Sequence, residues 1–108
     1  MTRQMVAYLD SDGDNTAQAA RVVGGTIDYL HVINPNAADA YLQLFDAATG
    51  SVTVGTTTPR QSYLVPANGA FEVKLGLHFN TAITYACTTT ATGNGDPVVG
   101  LVVNMLIA

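Results

Sequence analysis

One hundred and eight residues suffice for one domain to bury a core without disulfides or metals. Only 11% of them are charged and 48% are hydrophobic, against roughly 25% charged in an ordinary globular chain, so some apolar surface is expected to be covered by a partner or by copies of the chain. The net charge of −4 and four scattered cations, Arg3, Arg21, Arg60 and Lys74, leave no electrostatic footprint for nucleic acid or for an anionic membrane.

Met5 to Leu9 reads as a short strand, ended by the acidic turn Asp10-Ser11-Asp12-Gly13-Asp14-Asn15. Thr16 to Ala20 tolerates a helix but is too short to hold one. Ala19 to Val23 is strand-like and closes on Gly24-Gly25, so residues 1–25 are expected to form an N-terminal arm or an edge strand. From Thr26 to Asp46, two runs rich in β-branched and aromatic residues flank the turn cluster Asn34-Pro35-Asn36, the form of two strands joined by a loop. Simple alternation puts Ile27, Tyr29, His31 and Ile33 on one face and Asp28, Leu30 and Val32 on the other. In the second run Leu42 and Leu44 oppose Tyr41, Gln43 and Phe45. Both faces are partly apolar, as in strands of a packed sandwich.

Ala47 to Gly50 is a turn, and Val52 to Val54 reads as a brief strand before Gly55-Thr56-Thr57-Thr58-Pro59. Gln61 to Val65 is a strand stopped by Pro66 and the turn pair Asn68-Gly69. The clearest alternation follows, with Phe71, Val73, Leu75, Leu77 and Phe79 on one face and Glu72, Lys74 and His78 on the other. Ala82 to Thr90 is strand-like, with Ile83, Tyr85 and Cys87 facing one way. After the loop Ala91 to Pro97 comes a final run, Val98 to Ile107, apolar on both faces apart from Gly100 and Asn104. Such a strand is central in the sandwich or sits at a subunit seam, which makes Val99, Leu101, Val103 and Met105 candidates for an oligomer interface.

About eight short strands separated by Gly, Pro and Asn turns predict an all-β, single-domain β-sandwich over residues 1–108. A jelly roll suits the count best. An immunoglobulin-like sandwich is the second choice, without its Cys–Trp–Cys marker.

The opening MTRQMVAYLD lacks the apolar core of a signal peptide, because Asp10 interrupts it. The longest apolar run, Pro97 to Ala108, falls short of the roughly 20 residues that span a bilayer. Synthesis in the cytosol without a secretion signal or membrane anchor is therefore expected. Cys87 is the only cysteine, which excludes an internal disulfide and reads as a small buried hydrophobe.

Asp10, Asp12 and Asp14 alternate like the opening of a calcium loop, which needs Gly at its sixth position and Glu at its twelfth. Those positions hold Asn15 and Arg21, so the expectation is a solvated turn with Asx hydrogen bonds; calcium is the alternative. His31 and His78 each lack a partner at metal-ligand spacing. His31 is expected in the core or an interface, and His78 at the surface. Glu72 pairs with Lys74 on a polar strand face, and Ser11, Ser51 and Ser62 lie outside any nucleophile elbow, so no enzyme activity, cofactor or small-molecule substrate is expected. Five tyrosines on different strands leave a carbohydrate-binding platform as a minor alternative to core packing.

The segments Tyr41 to Gly50, Val54 to Pro59, Phe79 to Ile83 and Ala86 to Thr92 resemble small all-β proteins encoded by tailed bacteriophages and prophages, over most of the chain from about Tyr29 onward. The resemblance implies a structural virion protein of the capsid cement or decoration type. Such a protein sits on the head surface, commonly as a homotrimer, and bridges neighbouring major capsid protein subunits. It places candidate capsid contacts on the loops carrying Asn34, Pro35 and Asn36, then Thr57, Pro59 and Arg60, then Asn94. A tail, fibre or baseplate component, or a carbohydrate-binding module on a virion, is the alternative.

Overall fold

The computed structural model describes residues 5–108; Arg3 lies outside them. Eight strands follow in chain order: β1 (Val6–Gly13), β2 (Gln18–Arg21), β3 (Gly25–Asn34), β4 (Ala40–Phe45), β5 (Gln61–Val65), β6 (Gly69–Phe79), β7 (Ile83–Thr88) and β8 (Leu101–Ile107). They form two four-stranded antiparallel sheets, β1-β8-β3-β6 and β2-β7-β4-β5. The order is nested: the first strand pairs with the eighth, the second with the seventh, the third with the sixth and the fourth with the fifth. The all-β sandwich expected from the turn spacing is the fold observed.

The core lies between the sheets. Ile27, Leu30, Val32, Phe79, Leu101, Val103, Met105 and Ile107 from one sheet meet Leu42, Leu44, Val65, Ile83, Tyr85 and Cys87 from the other. The alternation of β6 is realised as read, with Phe71, Val73, Leu75 and Leu77 half-buried toward the core, Phe79 fully buried, and Glu72, Lys74 and His78 exposed. Removing these branched and aromatic side chains from water is the main stabilising term.

Three local expectations need correction. First, the acidic stretch does not end β1. The strand runs on because its backbone stays paired with β8, Asp10 with Val103 and, after a register shift, Gly13 with Leu101, while Tyr85 donates its hydroxyl hydrogen bond to the Asp10 carboxylate. An Asx bond from the Asp12 N–H to Asp10 Oδ1, 2.9 Å, sits within that strand. Residues 6–13 and 18–21 are thus edge strands of the two sheets and not an arm.

Second, β3 does not alternate uniformly. Its register slips between Ile27 and Tyr29 against both neighbours. A bulge moves every residue beyond it to the opposite face relative to plain alternation, so Ile27 joins Leu30 and Val32 in the core, each with 0% exposure. Third, residues 52–54 form no strand. A 3-10 turn at Thr49–Ser51 leads into a turn in which the Thr56 and Thr57 N–H groups both donate to the Thr53 carbonyl.

Candidate functional site

The two sheets finish their outer faces differently. On the β2-β7-β4-β5 sheet, the register places Tyr41, Gln43 and Phe45 opposite Thr88, Ala86 and Thr84, all facing away from the core. Yet Gln43, Thr84, Ala86 and Thr88 are completely buried and Phe45 is nearly so. Two loops lie over them. Thr84 Oγ1 donates to the Ala47 carbonyl at 2.6 Å, and Gln43 Nε2 donates to the Gly93 carbonyl at 3.0 Å and to Thr88 Oγ1 at 2.8 Å. The loops touch where Gly55 packs on Asn94: a Cβ at Gly55 would stand 2.9 Å from the Asn94 Cβ, and the Gly55 φ of +93° is one that glycine adopts freely.

Among the described residues no loop covers the outer face of the β1-β8-β3-β6 sheet. Three rows of side chains cross it, set by the ladder register: Ala7, Leu106, Tyr29 and Lys74; Leu9, Asn104, His31 and Glu72; and Val102, Ile33 and Ala70. Leu9 is 64% exposed, Ile33 38% and Leu106 37%. Tyr29 donates to a Glu72 carboxylate oxygen, and this bond, more than burial, raises the Tyr29 pKa. His31 lies half-buried on this outer face and not in the core.

The four interface candidates on the last run divide accordingly. Leu101, Val103 and Met105 are 0%, 0% and 1% exposed and point between the sheets, so they are core side chains and unavailable to a seam between copies. The outward members of β8 are their neighbours Val102, Asn104 and Leu106. Val99 is 51% exposed, but it lies in the loop before β8.

The loops at 35–39, 66–68 and 89–100 meet at one end of the sandwich. Asn34 and Asn36, candidates for contact with a shell, are instead buried and fully engaged there. Asn34 Nδ2 donates to the carbonyls of Ala38 (2.9 Å) and Val65 (3.1 Å), while its Oδ1 accepts from Asn36 N and Nδ2, both 2.9 Å. The Asn36 side chain then pairs with the Val99 backbone as another strand would, accepting from its N–H at 2.7 Å and donating to its carbonyl at 2.8 Å. Pro35 and Asn94 are exposed. Above this network a cleft of about 390 Å³ opens between Pro35, Ala37, Ala38, Pro97, Val98 and Val99, and Val98 is 97% exposed.

Thr57 and Pro59 are half-buried, and Thr57 Oγ1 accepts the Thr53 N–H at 2.9 Å. Arg60 is committed to the fold. Its guanidinium lies 5.1 Å from the Phe79 ring centroid and 3.8 Å from Asp46, and donates to the His78 carbonyl. Asp46 in turn accepts from the N–H groups of Asn80 (2.9 Å) and Thr81 (2.8 Å), holding its carboxyl below the ordinary carboxylate value.

No group of three or more His, Cys, Asp or Glu among the described residues is arranged to hold a metal. Burial pushes the Cys87 thiol up to about 12, with the Asp10 and Asp14 charges adding to it, so this thiol stays protonated at neutral pH. Burial also raises the Tyr85 pKa, ahead of its bonds to Asp10 and Tyr8. Tyr85 packs edge-on to Tyr8, and Tyr63 stacks on Phe71 with centroids 5.1 Å apart, which leaves Tyr29 and Tyr41 on opposite outer faces of the sandwich and not in one platform. Among the described residues no helix is long and apolar enough to cross a membrane. No protein-family model, curated protein or solved structure matches the chain.

Proposed function

We propose that this chain is a structural virion protein of the cement or decoration type, bound to the head surface of a tailed-phage particle and bridging major capsid protein subunits. Its nested strand order is read as a jelly roll, a fold used widely in viral shells. The observation that carries the proposal is the exposed apolar end of the sandwich, where Val98 stands 97% exposed beside the cleft lined by Pro35, Ala37, Ala38 and Val99, on loops fixed from behind by Asn34 and Asn36. A protein that staples other subunits together needs stiffness on one side and adhesive surface on the other. Exposed contiguous apolar surface of this kind marks an interaction site.

The end carrying Pro35, Asn94 and Val98 supplies the shell contact in this reading, with Asn34 and Asn36 fixing the loops behind it. Density for the assembled particle tests the proposal. The chain is expected on the outer surface of the head, with the Val98 end against the shell, and Val98→Asp is expected to deplete it from purified heads while leaving the free protein folded. Finding the chain on the tail and not on the head would overturn it.

A further inference from the structure

We infer that the open outer face of the β1-β8-β3-β6 sheet is where two copies of this chain meet, related by a two-fold axis that runs across the strands. The occupant follows from the charge pattern of the face. Its two central rows are Ala7–Leu106–Tyr29–Lys74 and Leu9–Asn104–His31–Glu72. They lie two residues apart along each strand, roughly 6.6–6.8 Å. An axis in the plane of the face, perpendicular to the strands and between these rows, lays each row on the other row of the second copy. Glu72 then faces the second copy's Lys74, and Lys74 faces its Glu72.

A two-fold axis along the strands would set β6 over β1, with Glu72 and Lys74 on Leu9 and Ala7 and no counter-charge. A head-to-tail contact gives no reciprocal match either, because only an isologous interface pairs one residue with another in both directions. The crosswise axis is therefore the one that this surface complements.

The charges lie at one rim of this face, since β6 carries both at the sheet edge; Leu106, 37% exposed, lies on the inner strand β8, and Leu9, 64% exposed, on the opposite edge strand β1. Tyr29 holds Glu72 by its hydroxyl, so the carboxylate is ordered before association. Asn104 Nδ2 already donates to the His31 carbonyl, at 3.4 Å.

Sedimentation and light scattering of the full-length free chain over a micromolar to millimolar range test the inference. A mass of two chains is expected. Glu72→Lys and Lys74→Glu, each introducing two like-charge contacts per dimer, are expected to weaken association about tenfold. The double exchange Glu72→Lys/Lys74→Glu restores it, since each exchanged charge again faces its opposite on the second copy. Leu106→Asp gives a monomer, with the thermal melt of the monomer confirming that it is folded. A monomeric or trimeric wild-type chain, or a double exchange no stronger than the single variants, would overturn the inference. Because the readout is the mass of the free protein, it stands apart from where the chain sits on a particle.

Discussion

The two sheets of this sandwich are built from similar strands, yet the central strands β4 and β7 of one are buried on both faces and β3 and β8 of the other on only one. In β7 every residue is buried, because loops 46–60 and 89–97 close over the outward Thr84, Ala86 and Thr88. In β8 buried and accessible residues alternate, and among the described residues no loop closes over the outward Val102, Asn104 and Leu106. Local β-propensity therefore does not decide which face is wet. That is settled by where the long connections fall, and both long connections here fall on one sheet. The open sheet keeps its apolar outer residues available for association, which accords with a chain of low charge content.

The largest expected effect comes from testing the two sides of β8 against each other. Met105, 1% exposed, fills the core, whereas Leu106 beside it faces outward at 37%. Met105→Ala leaves a cavity and is expected to cost about 2–5 kcal/mol in urea unfolding. Leu106→Ala, measured at a concentration where the chain is monomeric, is expected to cost under about 1 kcal/mol. Equal costs would mean that the assignment of the two faces is wrong.

Why β8 misleads in one dimension is plain from this pair. Val102 and Val103 are both apolar, so the strand is legible as a strand while its inside and outside are not. Leu101, Val103 and Met105 are as suitable for a seam as for a core until the register is known. In β6 the charges at Glu72, Lys74 and His78 mark the outer face, and the alternation is readable directly. β3 fails for a different reason. β3 itself carries no glycine or proline at the slip near Asp28; the glycine within the slip, Gly76 with φ +62°, lies across the ladder on β6, and the slip is set by pairing with β6 and β8, far away in the chain. Asn34 and Asn36 look like turn residues free to contact a partner. Their true role depends on Val65 and Val99, which lie 31 and 63 residues beyond them.

Asn36 offers a sharper test of the covered side, since it ties the loop before β8 to the rest of the fold. Asn36→Ala removes both bonds to the Val99 backbone and one to Asn34. Water can reach Val99, which is half-exposed, so the expected cost is about 2 kcal/mol and not the sum of three buried bonds. Amide hydrogen exchange should show the Val99 N–H losing protection while the β3 and β8 ladders keep theirs. Unchanged stability with Val99 still protected would mean that the loop is held by its apolar contacts instead.

The smallest effect concerns Asp46, which anchors the other covering loop where it leaves β4. The N–H bonds from Asn80 first, then from Thr81 and Ala82, and the nearby Arg60 charge hold its carboxyl below its ordinary value of 3.8, against the opposing influence of burial. A folded-state pKa below the unfolded one contributes stability that is present above the unfolded value and lost as pH falls through the folded value. The wild-type chain should therefore lose this contribution on acidification below about pH 4, while Asp46→Asn should lack it throughout. The side chain remains 20% exposed, so solvent screens the Arg60 pair and the difference at neutral pH is expected near about 1 kcal/mol. Urea midpoints of the two proteins should converge as pH falls through this window. A constant gap would assign the effect to the shape of the loop anchor and not to its charge.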